Sequence, residues 1–349
     1  MPDLIVNTPK GLYCPPGDFY IDPWRPVDRA IVTHAHADHA RSGSRHYLAA
    51  AVGAGVLQAR LGPISLQTLA YGASIRIGNV NVSLHPAGHV LGSAQVRVEH
   101  RGEVWVASGD YKLDADPTCA AFEPVRCHTF ITESTFGLPI YRWDDAGRLA
   151  ADINAWWQDN AQQGRASVIY GYAFGKAQRI LHGLNAGIGP IVVHGAVARL
   201  NDAYRAAGVT LPDASRVTDL PARTRLDRAL VVAPPSAQGT TWLRRFGQHA
   251  DAFASGWMRV RGARRRRGVD RGFVMSDHAD WPGLLAAIAA TGAQLVIVTH
   301  GQVAVLMRWL TEQGLQADRF TTEYDDTDED STAVESSDAQ TLDTERGAA

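Results

Sequence analysis

Six residues, His34-Ala35-His36-Ala37-Asp38-His39, put three imidazoles and a carboxylate into one short stretch separated only by alanines. They follow the apolar run Ala30-Ile31-Val32-Thr33, which reads as a strand. The alanines allow a tight turn that brings every donor inward with no bulky side chain in the way. Imidazole and carboxylate without thiolate suit borderline cations, Zn²⁺ first, with Mn²⁺ or Fe²⁺ as rivals. The plain alternative is a polar turn that happens to be rich in histidine. Four ligands this close do not comfortably serve one tetrahedral ion and still leave a catalytic position open, so the pattern points to two metals.

Three more candidates stand at strand ends. His89 lies in Gly88-His89-Val90-Leu91-Gly92, Asp110 follows Val104 to Gly109, and His300 closes Leu295-Val296-Ile297-Val298-Thr299. In each case an apolar strand delivers one donor to its polar tip. Any one of them alone would more often be a satisfied core or surface residue. Together with the histidine turn they form a ligand set.

The chain has room to house such a centre. With 45% hydrophobic and 20% charged residues over 349 positions it is neither disordered throughout nor fibrous, and its length allows two compact units. Short apolar runs from Leu4 to Val106 predict a β-rich half. After Thr132 the texture alternates: helix Leu149–Gln158, strand Ser167–Tyr172, helix Lys176–Leu184, strand Ile191–His194, helix Ala196–Ala207 and strand Leu230–Val232. That alternation predicts an α/β unit with a mainly parallel sheet. Beyond Gly268 the β-rich character resumes with Gly272–Met275, helix Trp281–Ala290, strand Leu295–Val298 and helix Val303–Leu310. The order suits an insertion, at 141–267, inside a discontinuous domain of residues 1–140 and 268–322. Residues 323–349, rich in Asp, Glu, Ser and Thr, are expected to form a disordered acidic tail.

Cys14, Cys119 and Cys127 lack C-x-x-C spacing and read as free thiols. The start, Met1-Pro2-Asp3-Leu4, shows no signal pattern, and the expectation is a cytoplasmic protein that does not span a membrane. The net charge of −2 hides an asymmetry: −9 from Glu323 onward against +7 before it. Arginine carries nearly all the positive charge, lysine standing only at 10, 112 and 176. A basic body rich in guanidinium forks suits a polyanionic partner.

These residues resemble the metallo-β-lactamase superfamily, and within it the β-CASP nucleases, over about residues 20–310. The resemblance implies an α/β (α+β) fold, an αββα sandwich with an inserted α/β β-CASP-like domain. It also implies a dinuclear zinc centre in which His34, His36 and His89 bind one metal, Asp38, His39 and His300 bind the other, and Asp110 bridges them. Asp22 takes the place of an acidic residue that supports a ligand histidine, although Asp18 and Asp28 stand nearby. Ile131-Thr132-Glu133-Ser134 resembles the first additional β-CASP motif and Ser276-Asp277-His278-Ala279-Asp280 the second, with His278 in the position of a general acid oriented by Glu133. Val298-Thr299-His300-Gly301 resembles the third. Gly11 to Asp22 and Ala233-Pro234-Pro235-Ser236-Ala237 look like the bacterial DNA-ligase-associated exonucleases. His300, by contrast, matches the RNA-processing branch.

The implied chemistry is phosphodiester hydrolysis by a dinuclear metal-bound hydroxide, with two divalent ions, zinc first and manganese as rival, and a proton from His278. The expected activity is a metal-dependent DNA exonuclease linked to repair, with a possible association with a DNA ligase. An RNA-processing ribonuclease is the alternative. A small-molecule metallohydrolase and a non-catalytic nucleic-acid scaffold rank lower. Nucleic-acid contacts are expected from Lys176, at a helix start, and from Arg259, Arg261, Arg264, Arg265, Arg266 and Arg267, read as part of a mobile loop between Arg259 and Arg271. Trp24, Trp143, Trp242 and Trp281 are better read as packed than as base-stacking.

Overall fold

The computed structural model describes residues 3–323. The expected acidic tail therefore lies, beyond Glu323, outside the described residues. The chain divides into two compact units, one running to Arg142 and resuming at Asp277, the other Trp143–Ser276.

The first unit contains two sheets. Strands Val6–Thr8, Gly11–Cys14, Phe19–Ile21, Arg29–Ile31, His46–Ala50 and Leu66–Leu69 form one in chain order. The other has seven strands in the order Gln316–Arg319, Leu295–Gly301, Thr129–Ser134, Glu103–Ala107, Ala94–His100, Val80–Pro86 and Ser74–Ile77. Its middle strands bury both faces, which explains their near-continuous apolar texture. On one face Val82, Leu84, Val96, Val98, Ile131 and Ile297 share a core with Phe19, Ile31 and Leu48 of the first sheet. On the other, Val106, Phe130, Val296 and Val298 pack with Leu284 and Ile288 of helix Trp281–Thr291 and with Leu306 and Leu310 of helix Val303–Glu312. The fold is the mixed α/β, αββα type that the resemblance implied. Asp280 accepts a hydrogen bond from Gly283 N at 2.9 Å and Pro282 follows within the first turn, so helix Trp281–Thr291 starts where a cap and a proline allow it.

The second unit is a six-stranded parallel sheet in the order Ser215–Arg216, Ile191–Val193, Leu230–Ala233, Ala166–Tyr170, His249–Ala254, Arg271–Phe273. Helices Ala146–Gln162, Lys176–His182 and Gly195–Ala206 alternate with its strands. Every residue of Ala166–Tyr170 is buried, and Ser167 is satisfied by Asn160 Nδ2 at 2.9 Å.

Two expectations change. The arginine stretch is not a loop: Arg261–Arg267 is a helix, closed by Gly268 in the left-handed region at φ 60°. Arginine is a good helix former, and a glycine at this position stops a helix without strain. Strand Arg271–Phe273 pairs with His249–Ala254, so the chain leaves the second unit after Ser276 and not at Gly268. A three-residue strand carries too little periodicity to say which sheet it joins.

Candidate metal centre

The histidine turn follows Arg29–Ile31 and winds back on itself, with Ala40 N bonded to His36 O at 2.8 Å. Ala35 and Ala40 are 3% and 2% exposed, so the turn tolerates nothing larger without displacing its histidines. His89 sits between strands Val80–Pro86 and Ala94–His100, in a loop where Gly88 and Gly92 have φ of 74° and 81°. Gly92 meets Gly53 so closely that a Cβ on Gly92 would stand 2.2 Å from Gly53 Cα. Asp110 follows strand Glu103–Ala107, and Gly109 before it presses on Thr33, the residue preceding His34. His300 stands near the end of strand Leu295–Gly301, separated from Glu103–Ala107 by Thr129–Ser134.

These tips converge. His36 Nδ1 lies 3.0 Å from both His34 Nε2 and His89 Nε2. The Asp110 carboxylate lies 3.4 Å from His34 Nε2, 3.8 Å from His89 Nε2, 3.2 Å from His39 Nε2 and 3.3 Å from His300 Nε2. Two groups of donors result among the described residues: His34, His36, His89 and Asp110, then His39, Asp110 and His300. Asp38 adjoins the second through His39 Nε2, 3.3 Å away. A third close group joins Asp110 to Glu133 and His278. The Glu133 carboxylate is 2.9 Å from His278 Nδ1 and accepts from Tyr111 N at 2.8 Å. All three residues of that group are at most 5% exposed.

The hydrogen bonds behind the donors set their orientation. Asp22 Oδ2 accepts from His39 Nδ1 at 2.7 Å, which turns Nε2 toward Asp110. The Asp277 carbonyl accepts from His89 Nδ1 at 2.9 Å, and because a carbonyl only accepts, the His89 Nε2 lone pair faces the cluster. Burial lowers the pKa of His34, His36 and His89, His36 to about 3, with neighbouring imidazoles adding to the effect, so these three are neutral. Burial pushes His39 and His300 the same way, but nearby carboxylates, Asp110 foremost, outweigh it and raise both. Asp38 and Asp110 are held below the ordinary carboxylate range, because the histidines, His39 foremost, overcome the desolvation that would raise them.

Three neutral imidazoles, two more facing ionised carboxylates, and no sulfur suit a divalent transition metal, whose charge would take the place of the protons on His39 and His300. Asp110 Oδ1 and His300 Nε2 are buried and face each other at 3.3 Å without a well-aligned hydrogen bond, an expensive state for a site holding protein atoms alone. The residues fit a metal centre.

Elsewhere the candidates are spread. Lys176 is 5% exposed with Nζ 4.6 Å from the Tyr172 ring centroid. Arg267 stacks at 4.3 Å over Phe253 and Arg264 Nε donates to Met258 O, whereas Arg261, Arg265 and Arg266 are exposed. Arg259 lies 3.8 Å from Asp144. Trp281 is buried, and Trp24, Trp143 and Trp242 are half-buried. Cys14 and Cys127 are free, with burial pushing the Cys14 thiol to about 11 and Cys127 to about 12. Sequence reasoning missed Thr33, whose hydroxyl bonds Asp22 at 2.5 Å, and Asp277, which acts through its main-chain carbonyl. Adjacency to the histidine turn signals the first; no side-chain pattern signals the second.

No family model matches the chain. A protein of Opitutus terrae named "Probable DNA ligase" is 31% identical over 316 residues, 89% of this chain. "Endoribonuclease YSH1" of Yarrowia lipolytica is 28% identical over 120 residues, 33% of the chain. The chain spans 30% and 14% of the lengths of these relatives. Among solved structures, a protein of unknown function from Enterococcus faecalis shares the fold, with a TM-score of 0.55, 13% identity, and coverage of 84% of this chain and 79% of that one. Relatives of this kind agree with the ordered motifs. These similarities are consistent with the resemblance of the motifs to the β-CASP group of the metallo-β-lactamase superfamily. The histidine turn follows a strand of the first sheet, and His89, Asp110 and His300 stand at strand ends of the second.

Proposed function

We propose that the chain is a metal-dependent phosphodiesterase that cuts DNA, an exonuclease linked to DNA repair. The observation that carries this reading is the buried His278–Glu133 pair beside Asp110. A small-molecule metallohydrolase has less use for a second, carboxylate-oriented histidine next to its ligand cluster.

His34, His36 and His89 would hold one divalent ion and Asp38, His39 and His300 a second, with Asp110 between them; zinc suits the donors first and manganese second. Bound there, such ions supply positive charge against the phosphate and acidify water. The chain's own residues do the rest. Asp22 and the Asp277 carbonyl aim His39 and His89. Glu133 accepts from His278 Nδ1 and fixes the ring; with Nδ1–H so held, it is the imidazolium form whose Nε2–H gives its proton to the departing 3′- or 5′-oxygen, leaving the neutral ring. Exposed Arg261, Arg265 and Arg266 supply phosphate contacts, joined by Arg259, Arg264, Arg267 and Lys176.

The name of the Opitutus relative supports DNA and an association with a DNA ligase. RNA processing is the second reading, favoured by His300 at the third motif and by a relative named an endoribonuclease. Incubating metal-analysed protein with matched end-labelled single- and double-stranded DNA and RNA decides between them. Faster loss of DNA, with mononucleotides released from one end, is the expected result. Cleavage of a thioester or lactam with every oligonucleotide left intact would overturn the reading.

A further inference from the structure

Thr322 lines the same cleft as Trp24, Asp38, His39 and His300. The next residue, Glu323, is gripped at the rim by two arginines. Its carboxylate accepts from Arg25 Nη1 at 2.9 Å and pairs also with Arg25 Nη2, a two-point contact, while Arg41 Nη2 lies 3.9 Å from the same carboxylate. Both arginines grow from the walls of the candidate centre. Arg25 follows Trp24, whose carbonyl accepts from Arg25 Nη1 at 3.0 Å, and Arg41 stands two residues beyond His39. Their side chains are 53% and 38% exposed, so a ligand arriving from solvent reaches them.

A guanidinium fork that takes a carboxylate at two points presents the same spacing to two oxygens of a phosphodiester. We propose that Arg25 and Arg41 form a phosphate subsite at the mouth of the cleft, and that Glu323 fills it in the free chain as an internal competitor. The proposal rests on the phosphodiesterase reading and deepens it: the ligand is a backbone phosphate of the strand being cut. Charge runs in its favour, since Glu323 opens the stretch of net charge −9 that ends a chain otherwise at +7. An exposed ion pair of this kind is weak enough for a polyanion to displace. Apparent affinity falls in proportion to the fraction of chains whose arginines are already engaged.

The test uses the full chain, metal-loaded, as wild type, Glu323→Gln, Arg25→Gln, Arg25→Lys and the double variant Glu323→Gln/Arg25→Gln. Anisotropy of a labelled single-stranded DNA reads binding, and hydrolysis is followed in the same preparations. Glu323→Gln should bind about twofold to fivefold tighter and Arg25→Gln weaker by a similar factor. Arg25→Lys, which keeps the charge without the fork, should fall between wild type and Arg25→Gln, and the double variant should match Arg25→Gln. The dependence of log affinity on log salt should become shallower by roughly 0.7 in Arg25→Gln. Equal affinities, or shifts of the same sign in Glu323→Gln and Arg25→Gln, overturn the subsite and leave a strap that only ties down the chain near Glu323. Opposite shifts without cleavage by the wild type keep the subsite and remove the phosphodiesterase reading. Cleavage with identical affinities does the reverse, and failure of every variant to bind removes both.

Discussion

Asp110 is 1% exposed, and four imidazoles stand within 3.8 Å of its carboxylate. An ionised group so buried persists only because those histidines face it, which is why one aspartate serves both donor clusters. His278 belongs to the same neighbourhood but leans on Glu133. Substituting Ala for His278 should lower turnover by about 10²–10⁴-fold while bound metal, counted by elemental analysis, stays unchanged. Loss of metal in that variant would make His278 a ligand and not an acid.

Loops hold these side chains by close approach of small residues. Gly92, at φ 81°, rests on Gly53, and the loop between Gly88 and Gly92 carries His89. Gly92→Ala meets both a left-handed backbone and a contact of 2.2 Å, so it should cost about 1–3 kcal/mol or more in urea unfolding and reduce metal affinity together with stability. A neutral Gly92→Ala would show that the two segments separate freely. The helix Arg261–Arg267 is a different kind of element, largely exposed and held by Gly268 and by packing of Arg264 and Arg267. Replacing Arg264, Arg265, Arg266 and Arg267 by alanine keeps helix propensity and should flatten the salt dependence of oligonucleotide binding. An unchanged slope would take the helix out of the substrate path.

Over the whole molecule, the buried imidazoles tie stability to pH. His34, His36 and His89 have folded pKa values below the unfolded value of about 6.5, so the unfolded chain binds protons there that the folded chain refuses. Their contribution is lost as pH falls from about 6.5 toward 3, the value to which His36 is pushed. His39 and His300 shift upward, so what they add is complete below 6.5 and fades only as pH rises through their folded values. They do not offset the loss. Chelator-treated protein should therefore weaken from pH 6.5 to 4, with a slope of up to about 1.4 kcal/mol per pH unit from His36 alone, read from urea midpoints. A flat profile would mean that His36 meets water. Helices and strands were legible from periodicity, and the donors from residue type at strand ends, because hydrophobic spacing and ligand chemistry are written locally. The helix through the arginines was not, since charge hid its propensity, nor was the sheet that Arg271–Phe273 joins. The sequence by itself determined which side chains could hold a metal and on which tips they stand. Only the tertiary structure decided that Glu133 meets His278 across 145 positions, that a main-chain carbonyl aims His89, and that Glu323 returns to the rim of the same cleft. Contacts between distant segments depend on how two sheets stack, and no local pattern encodes that.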